Sequence, residues 1–196
     1  MTGKNSTWTN SGELDVGYYG TGTLTISDGA YVSSATSYIS YFDNSSGYVT
    51  VTGTGSEWIN SGLMKIGLYD TGTLTISDSG LVATGSVSVY SSGVIYLDGG
   101  YLAVEGELDS DAISDLIDDI KVGTSDSYED AELGTNVYTY YFSSSGTSDT
   151  YTGYSLNGYT VFTSVVITVP EPATCALFGG IGALGLVLIR RKRQTA

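Results

Sequence analysis

Thr21-Gly-Thr-Leu-Thr-Ile-Ser-Asp28 recurs letter for letter as Thr71-Gly-Thr-Leu-Thr-Ile-Ser-Asp78, fifty residues further along the chain. The match extends toward the N-terminus, where Trp8-Thr-Asn-Ser-Gly12 returns as Trp58-Ile-Asn-Ser-Gly62. Fifteen of the twenty-five positions in residues 8–32 are identical in the second copy. Self-similarity at a fixed spacing predicts an architecture of stacked repeats.

A shorter pattern runs inside each repeat, in which a glycine is followed by aliphatic residues that alternate with polar ones. It occurs at residues 22–26, 47–51, 72–76, 93–97 and 100–104. Alternation places the aliphatic side chains on one face of a strand that is too short to bury this face alone. Stacking equivalent strands buries it, which predicts a parallel β-solenoid (β-helix) over residues 1–108. A propeller is disfavoured because it needs at least four blades and only two copies are visible.

The composition favours strands and excludes several classes of function. The 196 residues include 27 glycines, 17 tyrosines and 2 prolines, which is typical of a mainly β protein with glycine-containing turns. A net charge of −14 repels nucleic-acid phosphates, so we expect no nucleic acid as a partner. With one cysteine and no histidine, an intrachain disulfide and a Cys/His zinc site are excluded, and we expect no metal or cofactor.

Two different segments follow the repeats. Residues 109–123 have apolar positions at helical spacing and an acidic opposite face, which predicts a short amphipathic helix that caps the solenoid. Residues 124–169 are strand-like again and predict an antiparallel β unit. Within that unit, Asn157-Gly158 separates two alternating runs and predicts a hairpin between residues 151–156 and 159–169.

The C-terminal segment, residues 170–196, combines three elements. Pro170, Glu171 and Pro172 end the last strand, residues 173–189 are uncharged, and a basic cluster follows at Arg190, Arg191, Lys192 and Arg193. Seventeen helical residues span about 25 Å, so residues 173–189 predict a short transmembrane helix. The basic cluster is expected to remain in the cytoplasm, with everything before Pro170 outside.

These three elements, in this order, resemble the PEP-CTERM sorting signal of Gram-negative bacteria, many of which form biofilms. The resemblance implies that exosortase, a membrane processing enzyme, recognises Pro170, Glu171 and Pro172. It also implies that residues 173–189 anchor the protein transiently in the inner membrane before it reaches the cell surface or the extracellular space. The repeats are similar, in a general way, to the glycine-rich passenger regions of such proteins and of autotransporters.

The N-terminus departs from the pattern of an exported protein. Met1-Thr-Gly-Lys-Asn-Ser6 lacks the apolar stretch of a secretion signal, and the first repeat begins almost at once. We therefore expect the chain to be a fragment, or to start at a misassigned codon, with further coils before it.

The expected role is that of a structural or adhesive protein of the cell surface or extracellular matrix, with exopolysaccharide as a partner. Two alternatives are open: a carbohydrate-binding module and a two-carboxylate polysaccharide hydrolase on a β-helix. A lyase is not expected, because residues 1–172 hold no histidine or arginine to act as base or to stabilise charge. No carboxylate pair recurs either, since Asp15 is replaced by Lys65 and Glu13 by Leu63, so we expect no enzymatic activity.

Trp8 and Trp58 are the candidate ligand-binding residues, because they occupy the same place in both repeats. Two interpretations are open for them. An aromatic ring at a repeated position can stack on a ligand, or it can pack in the core or at the cap of a coil.

Overall fold

The computed structural model describes residues 1–124, 127–133, 136–141, 150–151, 154–155 and 158–164. Within these residues there are seventeen strands and one helix. They are β1 (Thr7–Thr9), β2 (Glu13–Val16), β3 (Thr21–Ser27), β4 (Tyr31–Ser34), β5 (Thr36–Ile39), β6 (Ser46–Thr52), β7 (Glu57–Ile66), β8 (Gly72–Ser77), β9 (Leu81–Val89), β10 (Gly93–Asp98), β11 (Tyr101–Glu105), α1 (Ser110–Asp118), β12 (Ile120–Thr124), β13 (Ser127–Asp130), β14 (Val137–Tyr141), β15 (Thr150–Tyr151), β16 (Tyr154–Ser155) and β17 (Tyr159–Ser164).

The strands form two facing parallel ladders, between which the chain alternates. The first, sheet I, runs β1-β4-β7-β9-β11, with β2 and β5 pairing beside the second half of β7. The second, sheet II, runs β3-β6-β8-β10-β12. Consecutive strands in each ladder pair in parallel, which confirms the predicted β-solenoid and gives it about five turns.

One coil of this solenoid is about half as long as the repeat seen in the sequence. Leu24, Val49 and Leu74 are partners in successive coils of sheet II and lie twenty-five residues apart. The fifty-residue repeat is therefore a pair of coils. Sheet I shows the reason for this pairing of coils. Trp8 pairs with Val32, and Val32 pairs with Trp58, so a large and a smaller side chain alternate from one coil to the next.

The core fills the space between the sheets with columns of aliphatic side chains. Ile26, Val51, Ile76 and Leu97 form one such column and are all fully buried. Each buried aliphatic side chain stabilises the fold by about 1.5–3 kcal/mol relative to its exposed state. A second, smaller apolar cluster lies on sheet I around Leu81, Ala83, Tyr101, Ala103 and Val161.

Glycines line one corner of the solenoid because backbone passes too close for a side chain. Gly47, Gly72 and Gly93 pair with one another in register at the start of their strands. A Cβ atom on Gly72 would overlap the carbonyl oxygen of Ile39 and the backbone of Gly67. The recurring glycine that marks each predicted strand is thus required by close packing of successive coils.

A buried polar network surrounds the second copy of the Trp-x-Asn-Ser-Gly sequence. Asn60 is 1% exposed, and its side-chain oxygen accepts hydrogen bonds from the Ser34 and Ser37 hydroxyls at 3.0 and 2.8 Å. Its amide group donates to the Gly62 carbonyl oxygen at 2.9 Å and to Thr84 Oγ1 at 3.1 Å. One side chain therefore ties three coils together and satisfies its own polar atoms inside the core.

The helix and the strands after it close the far end of the solenoid. Asp109 caps α1 by accepting a hydrogen bond from the Ala112 amide at 2.9 Å, and Leu116 and Ile117 pack against the main core. The helix predicted within residues 109–123 ends at Asp118, because Ile120 already begins β12 as the next parallel strand of sheet II. Antiparallel strands then complete both sheets, β13 beside β12 and β17 beside β11.

The predicted hairpin between residues 151–156 and 159–169 is wrong in its pairing. Strand β17 lies between β11 and β14 and pairs antiparallel with both, so neither of its edges is left for β16. Strand β16 pairs instead with β15. The Asn-Gly sequence favours a turn in the local chain, whereas β17 gains a longer apolar contact by adding to sheet I. Asn157 itself lies outside the described residues.

The C-terminal segment, residues 170–196, also lies outside the described residues, and with it the predicted transmembrane helix of residues 173–189. In the parts of the chain that the structure does describe, no helix has the length and apolar character needed to cross a membrane.

We expect Asn60→Ala to lower the free energy of unfolding by about 1–3 kcal/mol, because the buried Ser34, Ser37 and Thr84 hydroxyls lose a partner. Urea denaturation followed by circular dichroism measures the change. Asn10→Ala is the matched control, since Asn10 has the equivalent place in the first copy of the repeat but donates to an exposed backbone group, the Glu13 carbonyl oxygen. Equal losses in the two variants would contradict the role given to the buried network.

Candidate functional site

Four aromatic residues come together at the corner that follows β2 and β5, and we call them the aromatic corner: Tyr18, Tyr19, Tyr41 and Phe42. Backbone hydrogen bonds align the two turns, because the Ser40 amide donates to the Val16 carbonyl oxygen at 2.9 Å and the Tyr41 amide to the Gly17 carbonyl oxygen at 3.1 Å. This register places Tyr41 beside Tyr18 and Phe42 beside Tyr19.

The rings of the aromatic corner are held in fixed relative orientations. Tyr19 and Phe42 stack with centroids 4.4 Å apart and planes 4° from parallel, and Tyr18 and Tyr41 stack at 5.2 Å and 30°. Tyr18 also meets Tyr19 and Phe42 edge to face, at 4.8 and 5.0 Å. These are the favoured arrangements of aromatic pairs, so the four rings form one continuous surface.

Much of this surface is open to solvent. Tyr19 is 74% exposed and Tyr18 43% exposed. In the next coil the Leu68 amide donates to the Ser40 carbonyl oxygen at 3.3 Å, which continues the alignment and brings Tyr69 to the corner position that follows Phe42. Tyr69 is 59% exposed, so exposed tyrosine recurs along the corner.

Beside the corner, the outer face of sheet I carries Asp15, Tyr38 and Lys65 in one column across three coils. Tyr38 contacts Tyr41 with ring centroids 4.5 Å apart, which joins the column to the aromatic corner. The Lys65 Nζ lies 5.4 Å from the centroid of the Tyr38 ring. The ring face attracts the Lys65 ammonium, which brings a positive charge to this otherwise acidic face.

A pair of carboxyl groups completes the site on its N-terminal side. Glu13 and Asp15 lie two residues apart on β2 and therefore on the same face of sheet I. Burial, followed by the charge of Glu13 and a side-chain hydrogen bond with it, raises the pKa of Asp15 from 3.8 to about 6. Within the described residues, Asp15 Oδ1 is buried and makes no hydrogen bond.

This arrangement can bind a ligand that has both apolar and hydroxylated surfaces. The rings offer flat apolar faces, and the phenol and carboxyl groups offer hydrogen-bond donors and acceptors at their edges. Across the described residues, no three acidic or cysteine side chains come together in a way that would hold a metal ion.

The residues singled out from the sequence lie elsewhere. Trp58 is fully buried in β7, where its Nε1 donates to Ser34 Oγ at 3.0 Å, so its ring is packed in the core and has no face open to a ligand. Trp8 lies in β1, is 40% exposed, and stays a candidate for ligand stacking. Pro170, Glu171 and Pro172, like the basic cluster from Arg190 to Arg193, lie outside the described residues.

The aromatic corner is absent from the sequence-based predictions, although the chain carries a signal for it. Tyr18-Tyr19 and Tyr41-Phe42 are adjacent aromatic pairs that each follow a strand, one coil apart. The fifty-residue spacing hides them, because Tyr41-Phe42 falls in the coil between the two visible copies. A comparison of the chain with itself at a spacing of twenty-three residues places the two pairs side by side.

The raised pKa of Asp15 makes a pH-dependent prediction. The folded protein binds this proton more tightly than the unfolded chain, so the stabilisation is complete below about pH 3.8 and is lost as the pH rises through about 6. Asp15→Asn removes the repulsion and should raise the melting temperature at pH 7.5 by about 2 °C, since solvent screens part of the effect.

At pH 4 the melting temperatures of the Asp15→Asn variant and the original chain should converge. Asp43→Asn, which removes a charge from an exposed turn, is the control and should leave the pH profile unchanged. A melting temperature that differs between the original chain and Asp15→Asn by the same amount at both pH values would contradict the assignment.

Comparison with known protein families gives one match, to the PEP-CTERM protein-sorting motif, over residues 168–193. Comparisons with curated proteins and with solved structures give no match. The matched segment contains the Pro-Glu-Pro sequence, the uncharged stretch and the basic cluster identified from the sequence. Because this motif is the recognition signal for exosortase, a membrane processing enzyme, the chain is an exported protein that carries a PEP-CTERM sorting signal.

Proposed function

We propose that this protein is a non-enzymatic structural or adhesive component of the bacterial cell surface or extracellular matrix. The observation that carries the proposal is a PEP-CTERM sorting signal in the same chain as a regular parallel β-solenoid. The sorting signal supports export and transient anchoring in the membrane. The solenoid supplies a rigid body whose outer columns, rich in threonine, serine and tyrosine, are available for contact.

The acidic charge of the protein supports a role outside the cell. The net charge of −14 keeps the molecule soluble and disfavours close self-association through like-charge repulsion. Extracellular display on a Gram-negative cell and association with exopolysaccharide follow from this proposal. Biofilm formation is the setting in which a protein of this kind would act as scaffold or adhesin.

A polysaccharide hydrolase is the rival function, and the carboxyl pair of Glu13 and Asp15 is the feature to weigh. Inverting and retaining hydrolases both need two carboxyl groups placed across the glycosidic bond. In the second copy of the repeat, Leu63 and Lys65 replace Glu13 and Asp15, so the repeat does not keep the pair. This loss of the pair supports the non-enzymatic proposal.

We expect exosortase-dependent removal of the C-terminus in the native host. Mass spectrometry of the protein, carrying an epitope tag within residues 143–150, should show that surface or released protein lacks everything beyond about Pro172. Replacing Pro170, Glu171 and Pro172 together by alanine should abolish processing and retain the protein in the inner membrane.

The matched control replaces Ser143, Ser144 and Ser145 by alanine, which changes three consecutive residues outside the motif. This variant should be processed as the original chain is. Surface protein that still ends at Ala196 would overturn the proposed sorting and leave a plain tail-anchored protein.

A further inference from the structure

We propose that the aromatic corner, continued by Tyr69 in the next coil, is the binding site for a neutral polysaccharide. The inference rests on the proposed function and deepens it, since it names the partner class and the residues that contact it. The observations that support it are the exposure of the rings, their geometry, and the charge around them.

The exposed rings are not needed to complete the core. The interior columns are filled by aliphatic side chains, such as Ile39 and Ile66, which are fully buried, and the rings of the corner do not belong to this core cluster. Tyr19 and Tyr69 nevertheless keep large apolar rings in water, at 74% and 59% exposure. Water contact with such surface is unfavourable, so recurring exposed aromatic residues on one edge indicate a binding surface.

The geometry leaves a ring face available on a base of packed rings. Phe42 covers one side of Tyr19 in a nearly parallel stack, and a ring that is still 74% exposed presents its other side to solvent. Tyr18 and Tyr41 hold this stack in place through their own ring contacts. A ligand that stacks on Tyr19 therefore meets a surface that loses little conformational freedom on binding.

The chemistry of the corner matches that of a sugar ring. A pyranose has faces lined by C–H groups and edges lined by hydroxyl groups. The electron-rich faces of aromatic rings attract the C–H groups, and the tyrosine hydroxyls and the nearby carboxyl groups of Glu13 and Asp15 can bond the hydroxyl edges. Because coils repeat along the corner, the surface suits a chain of sugars more than a single one.

Charge distinguishes a neutral polysaccharide from other partners. Glu13 and Asp15 lie beside the corner in a chain of net charge −14, so an anionic polysaccharide or a second copy of this chain meets repulsion. A cationic partner would meet the Lys65 ammonium, which lies over the Tyr38 ring in the column beside the corner and repels positive charge. A neutral glycan encounters neither obstacle.

Affinity gel electrophoresis of the purified full chain tests the proposal. The gels contain a β-glucan, a mannan or a galactan as neutral polysaccharides, alginate as an anionic one, or polylysine as a cationic polymer. The chain should be retarded by at least one neutral polysaccharide and not by alginate. Tyr19→Ala should weaken that binding about tenfold, whereas Tyr19→Phe, which keeps the ring, should retain most of it.

Tyr48→Ala is the matched control, because Tyr48 is 40% exposed but lies on β6 in sheet II. It should bind as the original chain does. Circular dichroism and the melting temperature establish that Tyr19→Ala is folded, as expected for a residue that is mostly exposed. If that variant unfolds, Tyr69→Ala in the third coil replaces it and should also weaken binding.

Several results would overturn the proposal: no retardation by any of the neutral polysaccharides, retardation by alginate or polylysine alone, or equal losses in Tyr19→Ala and Tyr48→Ala. C-terminal processing in the host is measured separately. A chain that is processed normally but binds no glycan would leave the surface role standing and remove only this partner.

Discussion

Parallel, in-register stacking of one coil on the next is the constraint on which the rest of this structure depends. Each paired residue of an interior coil has a counterpart above and below it, so its position must suit a whole column and not a single site. The column of Leu24, Val49, Leu74, Ile95 and Ile120 meets this demand in sheet II. Gly47, Gly72 and Gly93 meet it at a corner where no side chain fits.

The same register determines what appears on the outside. Aligned turns bring Tyr41 to Tyr18 and Phe42 to Tyr19, although each pair is separated by twenty-three residues in the chain. It also places Asp15, Tyr38 and Lys65 in one column, so that an acidic, an aromatic and a basic side chain follow one another in successive coils. A surface site in a solenoid is thus assembled by the ladder that holds the core together, without any dedicated loop.

The parallel β-solenoid could be predicted from the sequence, because alternating strands and recurring glycines are local patterns that point to the same structure. The repeat found in the sequence is twice as long as one coil, because the identical residues lie two coils apart. The sequence could not settle Trp8 and Trp58, since equivalent positions in a repeat differ in burial according to whether another coil lies above them. Asn157-Gly158 gave a wrong prediction for a related reason. The preference of these two residues for a turn carries no information about β11 and β14, the distant strands that pair with the edges of β17.

The two-coil repeat has a genetic consequence. The eight residues that begin at Thr21 and the eight that begin at Thr71 are identical and occupy equivalent places in sheet II, two coils apart. Where the corresponding stretches of DNA are alike too, recombination between them would remove or add fifty residues and rejoin β3 or β8 in register. Each new interface would then join strands that are equivalent to those it replaces, so the length of the product would change in steps of one coil pair.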